Sequence, residues 1–355
     1  MVEMTSRERV LCTLRGDLPD RVPTLTFGID PKIMTAVGEG SITRTYDVFG
    51  LDVHPIFCQN WCQGIPLNAA LSLDVPPDQQ TAGGTYAGWN GVDEFGRLWK
   101  RGSYVGGVVK SEEDIERYVP QLVLDERMDP EKTRVLVKNR PDKAFCLATH
   151  TGPFGLTLES IGFEEFFYVY MDDRPFIERL LWERTRWFAE IAARGAELGA
   201  DFVLMGDDAA FKGRTYISPA DFEELVVPCY AAIVRRAGIT VMWHSDGYIK
   251  PLLNAAVMAG LVGVHSLEPK AGVDLGEVKK AFGDKLVLAV NVDCGEALIG
   301  SDLELVRREV RRCMTQAKEG GRYMLSDSNS IHAGCNPEAV KEMYRYAREI
   351  GLYDI

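Results

Sequence analysis

The chain has 355 residues, of which 46% are hydrophobic and 26% charged, the balance of a globular protein with a sizeable core. Its formal net charge of −12 and pI of about 5.1 argue against nucleic acid or an anionic lipid surface as a partner. No apolar run approaches the ~18 residues that cross a bilayer, and the charged amphipathic start MVEMTSRERVLCTLRGDLPDRVP does not read as a secretory leader, so a cytoplasmic setting is expected.

In chain order, a first helix is predicted from Ser6 to Leu14, with Gly16 as its stop. Arg21 to Phe27, RVPTLTF, reads as an extended run. Residues 46–119 mix Pro, Gly and aromatic residues around turn signals, which predicts one or two β-hairpins. We read that stretch as an insertion over one end of a single domain spanning 1–355.

From Ala144 the rhythm sharpens. AFCLATH is a strand ending at His150, and a long helix is expected from Arg174 to Leu198. DFVLMGDD is a strand ending in the Asp207–Asp208 carboxylate pair. SPADFEELVVPCYAAIVRRAG is one helix, with Ser218 as N-cap and Pro219 in its first turn. Four more strand–helix units follow, beginning ITVMWH, LVGVHSLE, KLVLAVNVD and RYMLSDSNS. The strands are near-continuous apolar runs, as a parallel sheet covered on both faces requires. Six such units, with two earlier ones, predict an α/β fold: a (β/α)8 TIM-type barrel with an N-terminal helical and β-hairpin insertion. A doubly wound open sheet is the alternative, but no strand is followed by G-x-G-x-x-G.

In such barrels the chemistry collects at the C-terminal strand ends. Those ends carry His150, Asp207, Asp208, His244, Asp246, His265, Glu268, Asn291, Asp293, Cys294, Asp327, Asn329 and His332. Each has a plain structural alternative: a carboxylate can cap the next helix, and His265 can be a satisfied interior histidine. Eight scattered cysteines without a leader suggest reduced thiols, and Cys58–x-x-x–Cys62 suggests two packed thiols, with a metal pair as the alternative. Asp, Glu, His and Cys converging from separate strands are the ingredients of a zinc site with an open position.

TSRERVLCTLRGDLPDRVP, ISPADFEELVVPCYAAIVRRAG, HSDGYIKPLL, LEPKAGVDLGEVKKAFGDKLVLAVNVD and PEAVKEMYRYAREIG resemble the uroporphyrinogen decarboxylase superfamily, in order from Thr5 almost to the C-terminus. That resemblance implies a TIM-type barrel. Decarboxylases of this group grip a polycarboxylate tetrapyrrole with an N-terminal RQAGRYLPEY-like segment. The equivalent stretch here, PTLTFGIDPKIM, lacks those arginines, so tetrapyrrole decarboxylation is set aside.

The other branch is the corrinoid-dependent methyltransferases. Those that use coenzyme M hold zinc through His-x-Cys and a later Cys. His244 matches the first position, but Asp246 replaces the first Cys, and Ser330 stands at the second, five residues before Cys335. The resemblance to methyl-ether demethylating members, with their Glu-x14-Glu-x20-His spacing, implies Zn²⁺ on Asp208, Glu223 and His244, with Asp246, Cys294 and Cys335 as alternates. It implies Asp208, His244 and Asp246 as catalytic groups.

It further implies a methoxylated aromatic substrate, a separate corrinoid protein that brings cobalamin, and a homodimer. His150, Asp207, Asn291, Asn329 and Trp61 are expected to bind substrate, with Tyr86, Trp89 and Trp99 beside Trp61 as an aromatic wall. The alternatives are another methyl donor or acceptor, and a metal-dependent decarboxylase or lyase of a small carboxylate.

Overall fold

A computed structural model describes residues 3–57, 90–120, 122 and 124–354. Trp61, Cys58, Cys62, Tyr86 and Trp89 lie outside the described residues. The first helix, Ser6–Arg15, starts on a Thr5–Glu8 capping box and stops at Gly16, whose φ of 89° a side chain would resist.

Seven parallel strands form a curled sheet: β1 Val53–Phe57, β5 Ala144–Thr149, β6 Phe202–Gly206, β9 Thr240–Ser245, β10 Gly263–Ser266, β11 Val287–Val292 and β12 Tyr323–Asp327. They neighbour one another in sequence order, the simplest right-handed strand–helix–strand succession. β5, β6, β11 and β12 are buried at every position, because helices cover one face and the curl encloses the other.

The predicted extended run around Thr24 touches both sheet edges. Its backbone bonds to Leu325 on β12 and to Asp52 just before β1. β1 itself falls inside the stretch expected to be an insertion, so the parallel sheet begins earlier than the turn signals suggested. The hairpin expectation is met by three short antiparallel strands, β2 Gly91–Val92, β3 Arg97–Lys100 and β4 Ser103–Gly107. Here Trp99 is buried, and its indole N–H donates to Asp93 at 3.1 Å, so it packs within the hairpins.

The single helix expected from Pro219 onward is two, Pro219–Leu225 and Val227–Ala237. Pro228 lacks the N–H that would continue the ladder, so a second helix restarts there. The Ser218 cap and the Arg174–Glu197 helix stand as predicted, within a residue. Among the described residues no helix is long and apolar enough to cross a membrane.

Side chains alternate across each strand. Ala144, Cys146 and Ala148 of β5, Phe202 and Leu204 of β6, Met242 of β9, Val287 and Ala289 of β11 and Met324 of β12 form one buried cluster with Leu25 and Phe27. Two residues further along the same faces stand His150, Gly206, His244 and Ser326. The site is the next layer of that inner core.

Candidate active site

His244 ends β9 on the inner face and is 4% exposed. Its ring stacks on Phe27, with centroids 3.8 Å apart and planes 12° apart. Gly206 sits opposite it in register on β6. A Cβ there would meet Phe27 at 2.8 Å and the Thr149 carbonyl at 2.5 Å, so glycine makes room for the ring that clamps His244. Behind the ring, His244 Nδ1 lies 2.7 Å from His265 Nδ1, and His265 Nε2 lies 2.8 Å from Ser326 Oγ.

In front of the ring, one ligand atom from each of Asp208, His244 and Asp246 falls within 4.8 Å of the others. His244 Nε2 is 3.7 Å from Asp246 Oδ1. Asp246 is held by Asn329 Nδ2, which donates to Oδ2 at 2.5 Å, while Ser266 Oγ lies 3.2 Å from Oδ1. The Asp246 amide donates to Asp208 Oδ1 at 2.8 Å, and the Gly247 amide to Glu268 Oε2 at 2.8 Å.

The chain turns sharply to make these contacts. Ser266 and Leu267 are consecutive non-glycine residues with φ of 88° and 45°. Such conformations cost about 1–3 kcal/mol each and persist where surrounding structure imposes them. Here they aim Ser266 and Glu268 into the site.

Charge in the site is lopsided. Burial raises the Asp246 carboxyl above its ordinary range, and the charges of Asp208 and Glu268 raise it further. Asp208 is exposed to solvent yet crowded by protein. Burial pushes it up, against the Asp246 amide, with Glu159 and Glu268 adding to the rise. Among the described residues neither pairs with a lysine or arginine. Burial, then His265 and His150, drive His244 well below its usual range, and burial takes His265 down to about 3, so both rings are neutral near pH 7.

Neutral imidazole nitrogen with two uncompensated carboxylate oxygens is a donor set that zinc accepts. A divalent cation would relieve the carboxylate repulsion that the structure leaves standing. By that test Asp208, His244 and Asp246 fit a metal.

The other expected residues take different places. Glu223 lies on the Pro219–Leu225 helix and is not among the gathered groups; Asp246 stands beside Asp208 and His244 instead. Glu223 follows β6 only after the Ala210–Thr215 hairpin and one turn of helix, while Asp246 directly follows β9. Cys294 and Cys335 are also outside the group. They adjoin each other, with Cys335 Sγ 4.0 Å from the Cys294 carbonyl, and burial raises the Cys294 thiol to about 11.

Asp207 is held by protein donors. It accepts the Phe154 and Gly155 amides at 3.0 and 2.6 Å, at the start of helix Pro153–Ile161, and the Tyr230 hydroxyl at 2.8 Å. Burial raises it to about 7 in spite of those bonds. Gly152 is needed beside it, since a Cβ would stand 2.5 Å from the carboxylate. Tyr230→Phe removes one donor from this buried acceptor and is expected to cost about 1–3 kcal/mol in urea unfolding. An unchanged midpoint would show that Asp207 does not depend on it.

Asn291 is fully buried and bonds to the Leu267 carbonyl at 2.8 Å and to Arg312, so it braces the sheet against its helix. His150 stays at the mouth, exposed, with its ring edge-on to Phe27 at 5.4 Å. Asn329 serves Asp246.

The sequence reading missed Phe27, Ser266 and Ser326; the two-residue alternation of β12 would have pointed to Ser326. Among the described residues a different group of aromatic rings stands near the mouth. Phe211 and Tyr216 meet at 4.6 Å, and Phe163 packs on both. Burial, then Asp208 and Asp246, raise the Tyr216 hydroxyl, which sets that wall beside the carboxylates.

Comparison with known proteins agrees with this architecture. A family model described as "Uroporphyrinogen decarboxylase (URO-D)" matches residues 97–350. No curated protein matches the sequence. Among solved structures, a methyltransferase from Methanosarcina mazei superposes with a TM-score of 0.74 at 19% identity, covering 98% of this chain and 99% of that one. A B12-independent methionine synthase from Shewanella sp. W3-18-1, in complex with selenomethionine, gives 0.55 at 12% identity over 92% and 96%.

Proposed function

The chain belongs to the uroporphyrinogen decarboxylase family, and from that premise we propose a methyltransferase that moves a methyl group from a methoxylated aromatic compound to cob(I)alamin on a separate corrinoid protein. The observation that carries this reading is the meeting of Asp208, His244 and Asp246 at one mouth, beside the Phe211–Tyr216 wall. The fold shared with a protein named as a methyltransferase supports it. In this reading the chain is one domain spanning 1–355, and the segment around Thr24 takes the eighth strand's place in a closed barrel. The setting is cytoplasmic and the assembly a homodimer.

Asp208, His244 and Asp246 would hold Zn²⁺, which supplies Lewis acidity toward an ether oxygen. The protein's part is placement. Phe27 fixes the His244 ring, while Asn329 and Ser266 hold Asp246. Phe211 and Tyr216 would take the arene against an apolar face. The methyl–oxygen bond breaks with its electron pair left on the departing phenolate, and the methyl group is taken by the corrinoid. Holding the arene still contributes by orientation, and the dry wall keeps water from the reacting carbon.

The test is direct. Purified protein is analysed for metal, then mixed with guaiacol-type ethers and cob(I)alamin on a corrinoid carrier. Methylcobalamin and free phenol in equal amounts are expected. Methylcobalamin from methylamines alone would move the donor class, and carbon dioxide from a small carboxylate without methyl transfer would replace the reading with a lyase.

A further inference from the structure

Behind the mouth lies a buried line of polar groups that no step above uses. It runs from His244 through His265 and Ser326 to Asp327. All but His244 are fully buried, at 0% exposure. The separations are 2.7 Å between the two Nδ1 atoms, 2.8 Å from His265 Nε2 to Ser326 Oγ, and 3.4 Å from Ser326 Oγ to Asp327 Oδ1.

Two Nδ1 atoms at 2.7 Å share one proton: with none their lone pairs repel, and with two the N–H groups collide. His265 touches no carboxylate, so a buried imidazolium there would go uncompensated. Two arrangements remain, and the far end chooses between them. If His265 donated to His244, its Nε2 would have to accept the Ser326 hydroxyl proton, and Asp327 would lose that donor. If His244 donates, each group along the line donates to the next, and the line ends on a carboxylate, which only accepts.

The geometry points to a one-way hydrogen-bond relay in which His265, through Ser326 and Asp327, holds His244 in the tautomer protonated at Nδ1, leaving the Nε2 lone pair facing Asp208 and Asp246. His265 is thus a positioning residue, acting on the site through His244 alone. Register supports this, since His265 and His244 are direct partners on adjacent strands. Phe27 stacks on His244 and blocks the ring flip that would put Cδ2 in the place of Nδ1 and Cε1 in the place of Nε2. The inference rests on the metal reading for its purpose but not for its geometry. Partners of this kind around a metal-binding histidine change metal affinity by about 10–100-fold when lost.

The experiment uses the full-length chain with ¹⁵N-labelled histidine, freed of metal by chelation. Nitrogen chemical shifts report which ring atom carries the proton, and His244→Gln identifies the signals. The wild type is expected to show His244 protonated at Nδ1. In His265→Phe the proton should move to Nε2, and Zn²⁺ affinity, read by chelator competition, should fall about 10–100-fold. His265→Asn, whose amide oxygen can still accept from Nδ1, should restore both.

Wild-type His244 protonated at Nε2 would overturn the relay whatever the variants do, even if His265→Phe does not fold. Wild type protonated at Nδ1 but without affinity for Zn²⁺ or Co²⁺ would keep the relay and remove the metal reading.

Discussion

His244→Ala is expected to lower kcat/KM for methyl transfer by at least about three orders of magnitude, roughly 4 kcal/mol of transition-state stabilisation. The expectation follows from position. His244 contributes the only nitrogen to a group otherwise made of carboxylate oxygens, and its ring is locked between Phe27 and His265. Without it, Asp208 and Asp246 are left as two close acids, and zinc loses the ligand it prefers among the three. Bound zinc per chain should fall from about one to near zero in the same preparation.

Because the deletion also opens a gap under Phe27, thermal unfolding of metal-free wild type and variant must be compared. A variant that folds normally yet keeps its zinc and most of its turnover would remove His244 from the chemistry.

Asp52→Asn is expected to destabilise the fold by about 3–5 kcal/mol, the cost of leaving buried charge without its partner. Asp52 is fully buried just before β1. It takes Arg21 through both terminal nitrogens at 2.8 Å, Arg9 at 2.9 Å, the Ser6 hydroxyl at 2.8 Å and the Thr24 amide at 2.9 Å. One carboxylate therefore ties the first helix and the segment around Thr24 to the first strand of the sheet. The asparagine keeps the shape and loses the charge, leaving Arg9, at 2% exposure, with Asp20 as its remaining carboxylate partner.

The pH dependence has a definite sign. Burial alone would raise the Asp52 carboxyl, but Arg21, then Arg9 and Ser6, outweigh it and hold it below the ordinary range. A depressed carboxylate stabilises fully above its unfolded pKa, about 3.9, and loses that contribution as pH falls through the folded value. Urea unfolding at pH 7 should show the full deficit, and the gap between wild type and variant should narrow in acid. A deficit below about 1 kcal/mol at pH 7 would mean that Arg9 and Arg21 find other partners.

Much of this was legible in the chain itself. Apolar runs such as AFCLAT and VLAVNV can only be strands covered on both sides, and Ser218–Pro219 and Gly16 mark helix ends by backbone chemistry alone. Local rules act over a few residues, and there the text of the chain suffices. His244 and Asp246 were also visible, because a polar pair at the end of a buried strand has one natural place in a barrel.

The ligand group was not legible, because it depends on which way a side chain faces after long excursions. Asp207 and Asp208 are neighbours, yet one caps a helix while the other faces His244. Glu223 had the right spacing from Asp208 and His244, but it lies on a helix beyond the Ala210–Thr215 hairpin, whereas the register of β6 on β9 brings the ends of those two strands together. Phe27, far away in sequence, reaches His244 only because the segment around Thr24 lies between the two edges of the curled sheet.

The sequence by itself determined the strand–helix rhythm, the caps and the family likeness, since periodicity and backbone preference are short-range properties. Only the tertiary structure decided which carboxylates share the mouth and which way the histidines behind it point, since those depend on curl, register and packing across hundreds of residues.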